Sequence, residues 1–283
     1  MPQEFIHTNT MTAATGLPVV LLHGSAMTAD TWKGLRGYIG ARFDVCTLDV
    51  SRIRQLADLQ AGTVPSLDEL TEVAVAELAR IGTPVHIVGH DFGAVLALKI
   101  ASAYPGVAGS LSLIEPTAYN AVLPDCQAGW QTRQEVRATV AIMRASLIEG
   151  DGWRAMQNFI DLVHGPGTWD RTSRAHRTEL ALRAGETLAD LMAISGDQMG
   201  PVSLAGVVCP TLQVTGGKTC WMNKQVAQQL RVAVPFLRDE IIADAGHLPH
   251  LSDPHRVDPL VYDFLVRANA QWQDTRINLR HAA

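Results

Sequence analysis

The chain has 283 residues, of which 47% are hydrophobic, and a formal net charge of −5. This length and composition suffice for one large α/β domain or two small ones. The acidic balance, without any cluster of Lys and Arg, excludes nucleic acid and an anionic membrane as main partners and leaves a small hydrophobic organic molecule as the expected ligand. The four cysteines stand far apart without a C-x-x-C spacing, so we expect neither a zinc site nor a disulfide framework.

The first residues indicate the compartment. Residues 1–16 are polar and lack the basic start and apolar stretch of a signal peptide, and no run of 18 apolar residues occurs in the sequence. We therefore predict a cytoplasmic protein that does not enter a membrane.

Six short apolar runs rich in β-branched residues predict the strands of a buried sheet. They lie at residues 18–22, 43–48, 85–88, 111–114, 211–214 and 240–242, and helical patterns separate most of them. Such alternation predicts an α/β fold with a mostly parallel sheet flanked by helices.

One long interval has no strand pattern. Residues 118–199 show amphipathic helical patterns broken by Gly-rich turns, which predicts a helical cap inserted over the sheet. We therefore divide the chain into a first core part (1–117), a cap (118–199) and a second core part (200–283). The polar tail after Gln271 is predicted to be frayed.

The sequence Gly89-His90-Asp91-Phe92-Gly93 stands between the third predicted strand and an Ala-rich helix. In such a turn the glycines allow a strand to pass sharply into a helix, so that the middle residue projects alone. The helix N-terminus stabilises an anion at that point. We therefore predict that Asp91 is an ionised nucleophile that forms an alkyl ester with its substrate.

Three motifs together carry a family resemblance. The His-Gly pair at 23–24, the turn around Asp91 and the Ala-Gly-His sequence that ends at His247 resemble the α/β-hydrolase superfamily in order and spacing. The resemblance implies an α/β-hydrolase fold in which the nucleophile, the acid and the histidine follow in that order. It also implies that His247 is the general base that takes a proton from water.

The acid of this triad departs from the common pattern. Many relatives place an aspartate at about the position of Thr219, where the loop of residues 215–220 has no carboxylate. Glu115, at the end of the strand after the elbow helix, resembles the acid of haloalkane dehalogenases that take it from that strand. We therefore predict that Glu115 orients His247; the alternative is that Glu115 only holds the loop.

The resemblance also implies an oxyanion hole made by the backbone N–H groups of Ser25 and Phe92. Trp153 and Trp169 in the cap fit a pocket wall and the packing of the cap onto the sheet equally well. The residues predicted to contact the substrate are His23, Tyr119, Trp153, His164, Trp169 and Trp221.

Accessory residues narrow the substrate. Phe92 stands where haloalkane dehalogenases have a halide-binding tryptophan, and it also stands in the way of the arginines of fluoroacetate dehalogenases. Epoxide hydrolases protonate the opening oxygen with two cap tyrosines, and the predicted cap contains only Tyr119, with His164 as a further donor. An epoxide is therefore the least contradicted substrate, and no metal or organic cofactor is expected.

Three alternatives stay open. The protein is a dehalogenase, or it is a relative of serine hydrolases whose Asp91 acts as an acid or base in a cyclisation, an elimination or the processing of a lactone or ester. The third alternative is a small-molecule binding homologue without turnover. A homodimer is compatible with all of them.

Overall fold

A seven-stranded sheet forms the centre of the computed structural model, which describes residues 6–8, 16–61, 64–120, 126–197, 199 and 201–281. The strands are β1 (Ile6–Thr8), β2 (Val19–Leu22), β3 (Val45–Leu48), β4 (Val85–His90), β5 (Ala108–Ile114), β6 (Thr211–Gly216) and β7 (Leu237–Ile242). Their order across the sheet is β1-β3-β2-β4-β5-β6-β7. β1 is antiparallel to β3, and the other neighbouring pairs are parallel.

The predicted α/β fold with a mostly parallel sheet is confirmed. All six predicted strands are present, with ends that differ from the prediction by a few residues. β1 was not predicted, because it is a three-residue edge strand in a polar segment and pairs only with β3. The order places β4 next to β2 and β5, so the ends of these three strands meet at the carboxyl edge of the sheet.

Thirteen α-helices lie in the described part of the chain. They are α1 (Lys33–Ile39), α2 (Val50–Ala61), α3 (Leu67–Ile81), α4 (Phe92–Ala103), α5 (Gln127–Ile148), α6 (Gly152–His164), α7 (Thr168–Arg171), α8 (Arg174–Leu182), α9 (Ala184–Gly196), α10 (Pro201–Ala205), α11 (Trp221–Ala233), α12 (Pro249–Ser252) and α13 (Pro254–His281). A capping box explains where α3 begins, because Ser66 and Glu69 satisfy each other's backbone N–H groups.

The core lies on both faces of the sheet. Almost every residue of α4 is buried, because this helix packs between the sheet and the helices around it. On the opposite face, Trp32, Phe43 and residues of α1 and α13 form a second buried cluster. The tail after Gln271 continues α13 through His281, so the predicted frayed tail is wrong. In the described ranges, no helix has the length and apolar content to cross a membrane.

Helices α5 to α9 occupy the interval in which no strand was predicted. In α6, Met156, Phe159, Ile160 and Val163 are buried on one side, as an amphipathic pattern requires. Asn120, at one end of this interval, donates its side-chain N–H groups to the carbonyl oxygens of Ser195 (3.0 Å) and Asp197 (2.9 Å) at the other end. The two ends of the inserted helices therefore meet at one neck. The boundaries 118 and 199 of a separate cap remain a proposal.

Candidate active site

The turn around Asp91 joins β4 to α4 at the carboxyl edge of the sheet. Asp91 has φ 51° and ψ −117°, a conformation that residues with side chains rarely adopt. A Cβ on Gly89 would overlap with the carbonyl oxygen of Gly93, and a Cβ on Gly93 would overlap with that of Leu22. Glycine is therefore required at both positions, and the strained turn lifts the Asp91 side chain off the sheet.

Two groups contact the Asp91 carboxylate, which is 4% exposed. Ser25 donates its backbone N–H to Oδ2 at 2.8 Å, and Nε2 of His247 lies 3.6 Å from Oδ1. Burial by itself would raise the pKa of Asp91, but the hydrogen bond and charge of His247 hold it well below its usual range. The carboxylate is therefore ionised. Phe92, the first residue of α4, directly follows Asp91, and its side chain is fully buried in the core.

Glu115 follows the last residue of β5, has φ 48° and is 1% exposed. Its Oε1 accepts the backbone N–H of Gly216 at 2.6 Å. Its Oε2 accepts from Thr219 Oγ1 (2.6 Å) and Asn223 Nδ2 (2.7 Å) and lies 3.1 Å from His247 Nδ1. Four donors therefore compensate this buried carboxylate. Thr219, where the resemblance implies an aspartate, supplies a donor to Glu115.

His247 joins the two carboxylates, because its Nε2 faces Asp91 and its Nδ1 faces Glu115. Burial lowers the pKa of His247, but the hydrogen bonds and charges of both carboxylates outweigh burial and raise it to about 9. At neutral pH the ring is therefore an imidazolium. It becomes a base when one of its two partners loses its charge.

A cavity of about 790 Å³ opens onto Asp91, within the usual size of sites for small organic molecules. The polar residues nearest the carboxylate are Ser25, His90, His164 and His247, and apolar walls come from Phe159, Ile160, Val163, Leu180 and Leu248. The lining also includes His176, Glu179, Arg183 and Glu186. The cavity therefore combines apolar walls with a small polar floor around one carboxylate.

His164, the last residue of α6, was predicted to contact the substrate, and it lines this cavity. Its ring centroid lies 5.1 Å from that of His247. Burial, together with the neighbouring charge of His247, lowers the pKa of His164 to about 3. The ring is therefore neutral, with one N–H donor and one acceptor nitrogen.

His23 and Tyr119 lie outside the cavity lining that the described residues form. The Nε2 of His23 lies 3.1 Å from Asp49 Oδ1 and accepts the backbone N–H of Val50, so this buried ring fixes the start of α2. Tyr119 is 1% exposed and donates its hydroxyl to Asn223 Oδ1 at 2.6 Å. The prediction that either side chain contacts the substrate is not supported, because both rings pack behind the site.

The three predicted tryptophans also lie apart from this lining. Trp153 and Trp169 stack edge to face with ring centroids 5.8 Å apart, and the Arg177 guanidinium lies over both rings. Their role is therefore packing between α6, α7 and α8, the second of the two predicted readings. Trp221 begins α11 with 38% of its surface exposed. It reaches neither the carboxylate nor the walls described above.

Sequence reasoning missed three polar residues around the site. Asp190 in α9 accepts a hydrogen bond from the Ser25 hydroxyl at 2.9 Å, and Arg54 in α2 pairs with the same carboxylate. Asn223 in α11 lies 2.8 Å from His247 Nδ1. Their partners lie 24 to 165 residues away along the chain, so no local pattern indicated them. Asn223 follows Thr219 by one helical turn, the one signal that was available.

The described residues contain no group of three or more His, Cys, Asp or Glu side chains arranged to hold a metal ion. The donors around Asp91 are instead paired with one another, as the contacts of Glu115 and His247 show. The site is therefore built from protein groups alone in this structure.

Comparisons with known proteins give consistent results. The model of the Alpha/beta hydrolase family matches residues 19–260. The chain is 27% identical to the pimeloyl-[acyl-carrier protein] methyl ester esterase of Methylococcus capsulatus, over 90% of this chain and 96% of that protein. It is 23% identical to the putative carbamate hydrolase RutD of Pantoea ananatis, over 88% of each. The structure of MenH from S. aureus matches with a TM-score of 0.74 at 15% identity, over 94% of this chain and 99% of that one.

Proposed function

Because the chain belongs to the alpha/beta hydrolase family, we propose that it hydrolyses a hydrophobic organic substrate through a covalent ester on Asp91, and that the substrate is an epoxide. One observation carries this proposal. The residue at the apex of the elbow is a buried, ionised carboxylate with one oxygen on the Ser25 N–H and the other facing His247. A carboxylate so held attacks a saturated carbon and forms an ester.

In the first step, Oδ1 of Asp91 forms a bond to an epoxide carbon and the C–O bond of the ring breaks. Oδ2 stays on the Ser25 N–H as the carbonyl oxygen of the ester. Esterification removes the negative charge that keeps His247 protonated, so its pKa falls. The imidazolium proton passes to the new alkoxide, and His164 is our candidate for the group that hands it across, because its neutral ring lies between the cavity and His247.

In the second step, neutral His247 takes a proton from water, and the hydroxide adds to the carbonyl carbon of the ester. The negative charge on Oδ2 is stabilised by the Ser25 N–H, and the C–O bond to the product does not break at the alkyl carbon. Collapse of this intermediate releases the diol and restores the Asp91 carboxylate and the imidazolium of His247. The two steps together consume one epoxide and one water.

The relatives support a second candidate, the hydrolysis of an ester or a carbamate, since the matched proteins are named an ester esterase and a putative carbamate hydrolase. In that case Asp91 acts as an acid or base, because the resting site has no serine at its apex. The occupied oxyanion donor argues against it. Asp91 Oδ2 already accepts the Ser25 N–H, so a substrate carbonyl has to compete for that donor.

A dehalogenase is a third candidate that shares the Asp91 ester. It differs only in the leaving group, since a halide leaves without a proton. The neutral His164 ring and the backbone around Phe92 are then the donors available to a halide. A binding protein without turnover is the remaining alternative.

The test is mass spectrometry of intact His247→Gln after exposure to styrene oxide, 1-bromobutane and p-nitrophenyl acetate in separate reactions. This variant keeps the nucleophile and lacks the base, so an ester on Asp91 should accumulate. Its mass shift names the electrophile class. Asp91→Asn is the matched control and should carry no adduct.

Isotope labelling of the unmodified enzyme separates the nucleophile from the acid–base alternative. In a single turnover in ¹⁸O-water with enzyme in excess, the ester route puts ¹⁸O into Asp91 and leaves the first product unlabelled. Direct attack by water labels the product and leaves Asp91 unlabelled. The second result would overturn the proposed nucleophile.

A further inference from the structure

We propose that Asp190 of helix α9 is a positioning residue that holds the Ser25 N–H on Asp91, so that hydrolysis of the ester depends on the docking of α9. The inference deepens the proposed function and rests on it for the role of the Asp91 ester. Its structural part, the placement of Ser25 by Asp190, concerns the resting protein and is testable separately.

Ser25 connects two buried carboxylates. Its backbone N–H donates to Asp91 Oδ2 at 2.8 Å, and its hydroxyl donates to Asp190 Oδ2 at 2.9 Å. Asp91, Asp190 and Ser25 are 4%, 1% and 9% exposed, so water competes little for these bonds. The loop after β2 is therefore fixed at Ser25 from two sides, by the elbow below and by α9 above.

Arg54 makes this arrangement possible. Its Nε lies 3.0 Å from Asp190 Oδ1, Nη2 contacts the same oxygen, and Nη1 lies 3.7 Å from Glu186 one turn earlier in α9. Burial and the charge of Asp91 both raise the pKa of Asp190, and Arg54 opposes them. The cation therefore allows a second carboxylate to stay close to Asp91, and it leaves Asp190 Oδ2 to accept the hydroxyl of Ser25.

Ala26, next to Ser25, has φ 60°, a left-handed conformation that is unfavourable for a residue with a side chain. Such a backbone persists only when its surroundings hold it. The Ser25 side chain is bonded outside its own loop to Asp190 alone among the printed contacts of the described residues. Loss of that bond should let the loop relax and move the N–H of Ser25 away from Asp91.

The two reaction steps respond differently to this N–H. In ester formation the charge on Asp91 disappears, so the hydrogen bond stabilises the starting carboxylate more than the transition state. In ester hydrolysis a full negative charge develops on Oδ2, and the same donor stabilises the transition state. A displaced Ser25 should therefore slow hydrolysis while ester formation stays nearly constant. A general loss of structure would slow both.

The experiment compares Ser25→Ala, Asp190→Asn and the double variant. Ser25→Ala keeps the N–H and the Asp190–Arg54 pair and removes only the hydroxyl link. With styrene oxide, we expect both single variants to slow ester hydrolysis about 10-fold, to change ester formation less than about 3-fold, and to accumulate the Asp91 ester in the steady state. The double variant should be no slower than the single ones, because both changes break the same link.

Asp197→Asn is the matched control, because Asp197 is another buried carboxylate that pairs with a core cation, Lys99, at 2.7 Å. It should lower stability and leave the ratio of the two rates unchanged. A second readout, the chemical shift and hydrogen exchange of the Ser25 amide by NMR, does not depend on the reaction. We expect Asp190→Asn to move this shift upfield and speed the exchange, and Asp197→Asn to do neither.

The outcomes are separable. An unchanged Ser25 amide in Asp190→Asn, or a double variant whose hydrolysis is slower by the product of the two single effects, overturns the inference. A changed Ser25 amide together with no Asp91 ester on His247→Gln from any of the three probes supports the positioning by Asp190 and overturns the proposed function.

Discussion

The hydroxyl of Thr219 donates to Glu115 Oε2 at 2.6 Å. Thr219 follows β6 and Glu115 follows β5, and these two strands are neighbours in the sheet. The position at which the resemblance implies an acid therefore serves the acid of the adjacent strand. The triad has its carboxylate one strand closer to Asp91, and the loop after β6 has become part of that carboxylate's surroundings.

Replacement of Thr219 tests this relationship. A hydrogen bond to a charged group contributes about 1.5–3 kcal/mol, so Thr219→Val should lower the free energy of unfolding by an amount in that range. Thr219→Asp should cost more, because two carboxylates would compete for Asn223 and His247. Urea denaturation measures both. If Thr219→Val were as stable as the unmodified protein, the bond would have no energetic role.

Asp91→Ser should convert the site to ester chemistry. Removal of the carboxylate frees the Ser25 N–H for a substrate carbonyl and leaves the new hydroxyl beside His247, which Glu115 still orients. We expect a burst of p-nitrophenol from p-nitrophenyl acetate that is at least about 10-fold above Asp91→Ala. Stopped-flow absorbance measures the burst. Equal rates for the two variants would show that the remaining geometry does not support acyl transfer.

His164 and Tyr119 should differ in their effect on ester formation. His164 lines the cavity, whereas the Tyr119 hydroxyl is held by Asn223. Removal of a proton-transfer group slows a step by about 10²–10⁴-fold, so His164→Phe should slow ester formation from styrene oxide by that order. Tyr119→Phe should leave this step within a few-fold and mainly reduce stability. Rapid-quench measurement of the ester distinguishes them, and the reverse pattern would restore Tyr119 as the donor.

The stability of the protein should depend on pH through His247. Its pKa is about 9 in the folded protein, above the value of about 6.5 in an unfolded chain. The resulting stabilisation is complete below about pH 6.5 and is lost as the pH rises through about 9. We therefore expect the free energy of unfolding to fall across this window in the unmodified protein and much less in His247→Gln. Asp91→Asn should move the fall to lower pH, since one of the two charges that hold the proton is gone.

Gly24→Ala should disturb the carboxylate directly. A Cβ at this position would lie 2.7 Å from His90 Nδ1 and 2.8 Å from Asp91 Cβ, so Asp91 or the loop has to move. We expect a loss of turnover of more than about 10-fold, since small misplacements of reacting groups are costly. Gly37→Ala in α1 is the control, because its Cβ would meet open space and should raise stability by about 0.5–1 kcal/mol. Activity and thermal denaturation are measured for both variants.

Much of the fold was predictable because its signals are local. Buried parallel strands are apolar throughout and end at their functional loops, so the runs before Asp91 and Glu115 were recognisable one by one. The carboxylate, the acid and the histidine were then ordered by the resemblance. The structure brings them together as that order requires, and their catalytic roles remain predictions.

The surroundings of the site were not predictable in the same way. Asp190 and Arg54 lie on separate amphipathic helices, and nothing local distinguishes them from solvated charges. The position of Tyr119 misled the analysis, since a residue near Glu115 in sequence points behind the strand toward α11 instead of into the cavity. Helical spacing likewise did not separate tryptophans that pack with each other from tryptophans that line a pocket.

The neck at Asn120 has a consequence for how this protein can change. The inserted helices leave the sheet and return to it at almost the same place, so their length and sequence can vary without altering the register of any strand. An exchange of this segment between relatives would replace the cavity walls and keep Asp91, Glu115 and His247 in place. The condition on such an exchange comes from α9, because the incoming segment has to bring its own acceptor for Ser25 and its own partner for Arg54.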